Sequence, residues 1–473
     1  MGFSTTDRPE NIQAGKGLAL PGLVLGLLTG LLSYGIIEFW VDGNDENYLA
    51  ITSLFFLVTA SIGYLLLAET GQFARASVAA IVIAAFLALP DYFMFSTLAI
   101  ETGNYDSFPG MFWMMLGRGL SAYLLITLVK AGFENSTAVF SIPSYPQVFF
   151  HGLTIPLIAS GAKLFAGLAL LLLFAWAYLL KQMDVEFFHK LFQEPWFILP
   201  FLGAIGGLSI ALMRGQQSVL NALRFVLLLF CRILMVITAL FTVTLLLVLA
   251  TKGVGVVFDR PYPSMWMMTL AIAGMLIFNG VYQNGEAGPP PIWLRIPTLI
   301  TLIGFPVYAL LAFYAFGLRI EEYGLTPTRI VGIAINGLVA GYSLVCLAGL
   351  ITELNWRGQK WMPLVGPLNI LMAGFWIVVL FLLATPILNP WAMSAQSQYN
   401  QIAQQKTAAE EFDFGYLRFK LGRHGDHALD KMLKLTDHPE ADAIQSGVTR
   451  ARSAENYWSY KNQFDDAPVT EPN

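Results

Sequence analysis

The sequence predicts an all-α fold: a polytopic transmembrane bundle of about eleven helices followed by a small, mainly helical extramembrane tail. Three observations carry this prediction. The 473 residues are 56% hydrophobic and only 12% charged, with a mean hydropathy of +0.61; an ordinary soluble domain is roughly 25% charged. Apolar runs of roughly 20 residues recur along the chain, the length at which a helix crosses a hydrocarbon core of about 30 Å. After Pro390 the composition turns polar and no later run is long enough to span. A barrel needs short alternating segments, and these runs are continuous.

The spans fall at 17–39, 49–67, 76–98, 111–130, 152–180, 195–213, 222–250, 264–282, 292–317, 328–351 and 363–387. They divide the chain into an N-terminal segment (1–16), a transmembrane domain (17–387) and a soluble tail (388–473). The polar start, "MGFSTTDRPENIQAGKG", precedes a run long enough to span, so that run reads as a signal anchor and first helix. Arg118 interrupts the fourth run; without that span the count becomes even and everything downstream inverts.

Lys and Arg in the short connectors set orientation. The N-terminal segment holds Arg8 and Lys16. The first connector, "VDGNDENY", has acids and no base, the second carries Arg75, and the third, "ETGNYDSF", again has no base. This alternation puts the N-terminus in the cytoplasm, and eleven spans put the tail on the other side. Later connectors conform less: Lys181, Lys190, Lys252 and Arg260 fall outside, whereas Arg214, Arg295, Arg357 and Lys360 fall inside.

Trp40, Trp196, Trp266, Trp293, Trp361 and Trp391 stand at span ends, where an amphipathic ring suits headgroup depth. Glycines four apart (Gly22, Gly26 and Gly30; Gly203 and Gly207; Gly337 and Gly341) read as internal packing stripes where helix backbones approach. Cys231 and Cys346, inside apolar runs, read as small buried hydrophobes. Between spans five and six, "KQMDVEFFHKLFQEPWF" places Val185, Phe188, Leu191 and Phe192 at helical spacing, as in a short helix lying on the membrane surface.

In the tail, "EEFDFGYLRFKLG" has strand-like or mixed aromatic patterning. "DHALDKMLKL" gathers Leu429, Met432, Leu433 and Leu435 near one helical face. "PEADAIQSGVTRARSAENYW" reads as a further helix, and "DDAPVTEPN" as disordered. The expectation is a module of two or three elements docked on the membrane domain.

"GLRIEEYGLTPTRIVG", from Gly317 to Gly332, encodes a tight αα-hairpin. Gly324 closes one helix, Thr326 caps the next, and Pro327 suits its first turn. Glu321 or Glu322 is a candidate partner for Arg329. Together with "FFHKLFQEPWF", "FNGVYQNG", "PPPIWLR", "LNPWAMSAQSQ" and "EEFDFGYLRFKLGRHG", in this order, the stretch "LRIEEYGLTPTRI" resembles a bacterial family of multi-pass inner-membrane proteins catalogued as domain of unknown function 4153. The resemblance covers roughly residues 146–425. It implies a polytopic protein of the bacterial inner membrane; the eleven spans then put the tail in the periplasm if the cell is Gram-negative. It brings no substrate, cofactor or catalytic residue.

Ionisable or strongly polar residues inside spans are functional candidates. They are Asp91, after Pro90 on span three; Arg118 on span four; Lys163 on span five; Arg224 and Arg232 on span seven; and Asn279 on span eight, one turn before Gln283. The functional reading joins them in one polar cavity. Asp91 is its acid, Arg232 or Lys163 the counter-ion, and Arg224 with Arg232 the seat of an anionic headgroup or solute. The competing reading is structural pairing with snorkelling side chains near span ends. His424 and His427, with Asp426 and Asp430, have spacing compatible with a metal but read better as a solvated face.

No zinc-protease helix, paired Cys-x-x-Cys, P-loop, Rossmann fingerprint or nucleophile elbow occurs. No cofactor, metal or nucleic-acid partner is expected. The function classes that remain are a transporter-like protein, an envelope scaffold or sensor whose tail binds a protein partner, and, last, an intramembrane enzyme acting on lipid or a lipid-linked substrate.

Overall fold

The computed structural model describes residues 17–38, 48–69, 71–98, 109–258, 262–354 and 360–465. Every regular element among them is helical. In chain order these are α1 (Ala19–Ile36), α2 (Tyr48–Leu67), α3 (Phe73–Leu98), α4 (Met111–Phe133), α5 (Tyr145–Lys181), α6 (Phe187–Leu191), α7 (Pro195–Gly215), α8 (Gln217–Lys252), α9 (Gly255–Phe258), α10 (Pro263–Tyr282), α11 (Ile292–Tyr323), α12 (Pro327–Leu354) and α13 (Val365–Leu383). The tail follows as α14 (Pro390–Ala403), α15 (Phe414–Lys420), α16 (Gly422–Met432), α17 (Ala441–Ser453) and α18 (Tyr457–Asp465). Eleven helices are long and apolar enough to cross a membrane: α1–α5, α7, α8 and α10–α13. The protein is thus an all-α, multi-pass integral membrane protein. The N-terminal segment 1–16, Trp40 and the terminal 466–473 lie outside the described residues.

Three spans run well past their expected limits, α11 by continuing to Tyr323 rather than 317. α5 starts at Tyr145 rather than 152, because Pro146 can occupy its first turn. α8 starts at Gln217 rather than 222. With 37 and 36 residues α5 and α8 are roughly 55 Å long, well beyond a 30 Å core, so polar turns extend beyond the apolar run at their ends. Hydropathy misses such turns because they are not apolar.

Where lipid tails are as apolar as leucine, small residues that admit close backbone contact hold helices together. The glycine stripes of α1 and α7 meet each other. A Cβ built on Gly26 would stand 2.0 Å from the Gly203 carbonyl oxygen, and one on Gly207 would stand 2.1 Å from that of Gly22. Only glycine fits such an approach. The third stripe behaves differently. Gly337 faces open space and Gly341 meets only the Met372 side chain, so the expected close backbone packing is absent there.

Two buried clusters fill the membrane domain. One joins α2–α5 with α7 and the start of α8, through residues such as Leu67, Ala80, Ile126, Ile155 and Ala211. The other joins α8 and α10–α13, through Phe278, Leu302, Phe305, Tyr342 and Cys346. The outward faces of α5 and α8 carry exposed Leu171, Leu172, Leu240 and Phe241, as lipid-facing helices do. The short helix expected between spans five and six is present as α6. Phe188 lies 5.9 Å from Phe192, and Phe192 5.2 Å from Phe197, between ring centroids, while Phe187 is exposed. Both cysteines are free: Cys346 is buried and Cys231 half-buried.

The tail corrects three expectations. It has five helices rather than two or three elements. "EEFDFGYLRFKLG" is no strand: Asp413 accepts the Tyr416 N–H at 2.9 Å and caps α15, which overrides the aromatic alternation. Trp391 is no interfacial anchor: it is only 1% exposed and belongs to a third cluster that joins Met94, Met114, Ile330 and Leu380 of the spans to Ile402, Phe414, Leu429 and Val448 of the tail. Trp361 is also buried, against Tyr282, whereas Trp196, Trp266 and Trp293 are exposed at span ends.

The αα-hairpin between α11 and α12 is the tail's seat. Gly324 takes a positive φ of +70°, and Thr326 accepts the Arg329 N–H at 3.4 Å. Arg329 Nη1 donates to the Gly324 carbonyl at 2.6 Å; the side chain of its candidate partner Glu322 lies outside the described residues. This leaves the Leu325 peptide open to α14. Its N–H donates to Ser397 Oγ at 3.0 Å, and its carbonyl accepts from Ser394 Oγ at 3.0 Å and Gln398 Nε2 at 3.4 Å.

Candidate functional site: a buried ion pair beneath the tail

α3 and α4 form an antiparallel hairpin. Asp91 lies seven residues before Leu98 and Arg118 seven residues after Met111, so the two reach the same depth. Arg118 Nε donates to both carboxylate oxygens of Asp91, at 2.8 and 2.7 Å. Its Nη2 donates to Thr59 Oγ1 at 2.9 Å and to the Phe55 carbonyl at 3.3 Å, and the guanidinium lies 4.4 Å over the Phe55 ring. Asp91 is 2% exposed. A lone charge here would be costly, and pairing plus hydrogen bonds offset that cost. Beside the pair is a cavity of about 20 Å³ lined by Pro90, Met94, Met114, Ser121 and Leu380. Met94, Met114 and Leu380 also belong to the core shared with the tail.

This geometry corrects the expected single cavity. The counter-ion of Asp91 is Arg118, not Arg232 or Lys163. Both of those are exposed on lipid-facing helices and make no ion pair among the described residues. Arg224 is buried at the α5–α8 contact, with Nη1 3.2 Å from Thr154 Oγ1 and the guanidinium 4.2 Å over the Phe150 ring. It therefore shares no face with Arg232. Asn279 belongs to a neutral network in the second membrane core. Its Nδ2 donates to Tyr342 OH at 2.7 Å, and its Oδ1 accepts from Asn369 Nδ2 at 2.8 Å, with Tyr145 OH 3.0 Å from Asn369. Gln283 instead closes α10 with a φ of +58°.

A second charged cluster was missed in the sequence. Lys130 donates to the Leu67 carbonyl at 3.0 Å and pairs with Glu69. Arg214 donates to the Leu65 and Ala68 carbonyls. These cations satisfy the orphan carbonyls at the end of α2 and complement its dipole. Nearby, His151 Nε2 is 2.8 Å from Glu134 Oε1, and this hydrogen bond lowers the Glu134 carboxyl below its usual range. Hydropathy hides this cluster because its members stand at span ends, where charge is unremarkable.

In the tail, the acids near His424 and His427 are taken by arginines: Arg418 pairs with Asp426 at 2.8 Å, and Arg452 pairs with Asp430. Among the described residues no group of three potential ligands gathers for a metal ion. Burial and the nearby His427 lower the pKa of His424. Burial also pushes the Tyr416 phenol up to about 12.

Comparison of the chain with family models, curated proteins and solved structures gives no match.

Proposed function

We propose that this integral membrane protein is a scaffold or sensor of the bacterial inner membrane. Its N-terminus lies in the cytoplasm and its tail in the periplasm, where the tail receives an envelope protein while membrane lipids solvate the spans. The observation that carries this reading is the seat of the tail. α14 clasps the peptide between α11 and α12 and shares a core with α3, α12 and α13, so a load on the tail reaches the spans directly. The clasp joins "LRIEEYGLTPTRI" to "LNPWAMSAQSQ", two of the motifs behind the resemblance to the domain-of-unknown-function-4153 family.

A transporter-like role is the second reading, favoured by the buried Asp91–Arg118 pair beside a cavity. At about 20 Å³ the cavity holds roughly one water, so a solute needs the helices to part. Catalysis on a lipid-linked substrate draws less support, because the one carboxylate in the cavity is neutralised by Arg118.

The test combines topology and proximity. Reporters active on only one side of the membrane are fused after Trp391 and at the C-terminus, and a photo-cross-linker replaces the exposed Trp458. A periplasmic tail with a discrete protein adduct at residue 458 is expected. A cytoplasmic tail removes the envelope reading, and a periplasmic tail that cross-links only to lipid removes the partner.

A further inference from the structure

Ser121 is 4% exposed and lines the cavity beside Asp91 and Arg118. Several other buried hydroxyls in the spans return to their own helix. Thr154, Thr238, Thr242, Thr298 and Ser343 each donate to the carbonyl four residues earlier, at 2.7–3.0 Å. Ser121 makes no hydrogen bond among the described residues. Arg118 uses Nε and Nη2 on Asp91, Thr59 and Phe55, which leaves Nη1 without a hydrogen bond among the described residues. Ser121, Arg118 and the Asp91 carboxylate thus line one small space. A buried hydroxyl without a partner is costly. A cavity holds a water when it has about 10–15 Å³ for the water's centre and two to four polar partners. This one has about 20 Å³ and three candidates.

We propose that Ser121, Arg118 Nη1 and the Asp91 carboxylate form a binding site for one ordered water molecule, placed between α3, α4 and α13 under the docked tail. The water completes the hydrogen bonds of the ion pair and leaves no room for a solute beside it. The site stands whether the protein is a scaffold or a transporter, because it rests on the cavity alone.

The test uses the full chain in lipid nanodiscs. A density map fine enough to show ordered water is expected to carry a peak about 3 Å from Ser121 Oγ, Arg118 and Asp91. Ser121→Val, which fills the space with methyl groups, is expected to lower the thermal unfolding midpoint by at least about 2 °C. Ser121→Ala is expected to keep the peak on its two remaining partners. A map that resolves waters elsewhere but shows none here overturns the site. So does a Ser121→Val variant as stable as the parent or more stable, since removing an unneeded hydroxyl from a dry cavity is neutral or favourable.

Discussion

Replacing Gly26 by alanine tests the packing of α1 against α7. The added Cβ would stand 2.0 Å from the Gly203 carbonyl oxygen and 2.7 Å from its carbonyl carbon, whereas real Cβ atoms keep about 3.0 Å. Both contacts are backbone, so no side chain can swing away. The helices must part by about 1 Å, and the same separation breaks the contacts of Gly22 with Gly207 and of Gly30 with Leu199. Overpacking of this kind costs about 1–3 kcal/mol. Gly337→Ala is the matched control. It comes from an identical four-residue spacing, but nothing lies within 4 Å of its new Cβ, and alanine there gains up to about 1 kcal/mol of helix propensity. Thermal unfolding of both variants in one detergent reads the difference: a lower midpoint for Gly26→Ala and an unchanged or higher one for Gly337→Ala. Equal shifts would refute the backbone contact and leave the stripes a matter of composition.

Three further outcomes are expected. Asp91→Ala or Arg118→Leu alone leaves a buried charge unpaired and costs about 3–5 kcal/mol; the double variant is expected to be more stable than either single one, and additive losses would dismiss the coupling. Trp391→Ala removes a large core side chain for about 3–5 kcal/mol and is expected to open 384–389 to protease while the spans stay intact; unchanged resistance to cleavage would separate the tail from the spans' core. His424 has a lowered pKa in the folded tail, so the unfolded tail binds more protons. The stability this gives is fully present above the unfolded value of about 6.5 and is lost as pH falls through the lower folded value. Protease protection of the tail is therefore expected to weaken between neutral and mildly acidic pH, and His424→Gln to flatten that slope; an unaltered slope would place the acid sensitivity elsewhere.

Much of the architecture is determined by the sequence alone. Span number, the short helix α6, the αα-hairpin at Gly324 and the glycine stripe of α1 follow from local rules: hydropathy per turn, the φ that glycine tolerates and the spacing of small residues. The sequence also singled out both Asp91 and Arg118, since charge in an apolar span is expensive wherever it points. Only the tertiary structure decided who pairs with whom. Arg118 rather than Arg232 meets Asp91 because α3 and α4 are antiparallel neighbours, whereas Arg232 is exposed on the outer face of α8. Gly26 is a backbone contact and Gly337 is not, because only one of them faces another helix at close range. Trp391 sits at a span end like Trp266, yet it is buried because the tail folds back over it. Each of these outcomes depends on a surface supplied by a distant segment, and neither spacing nor hydropathy encodes which segment arrives.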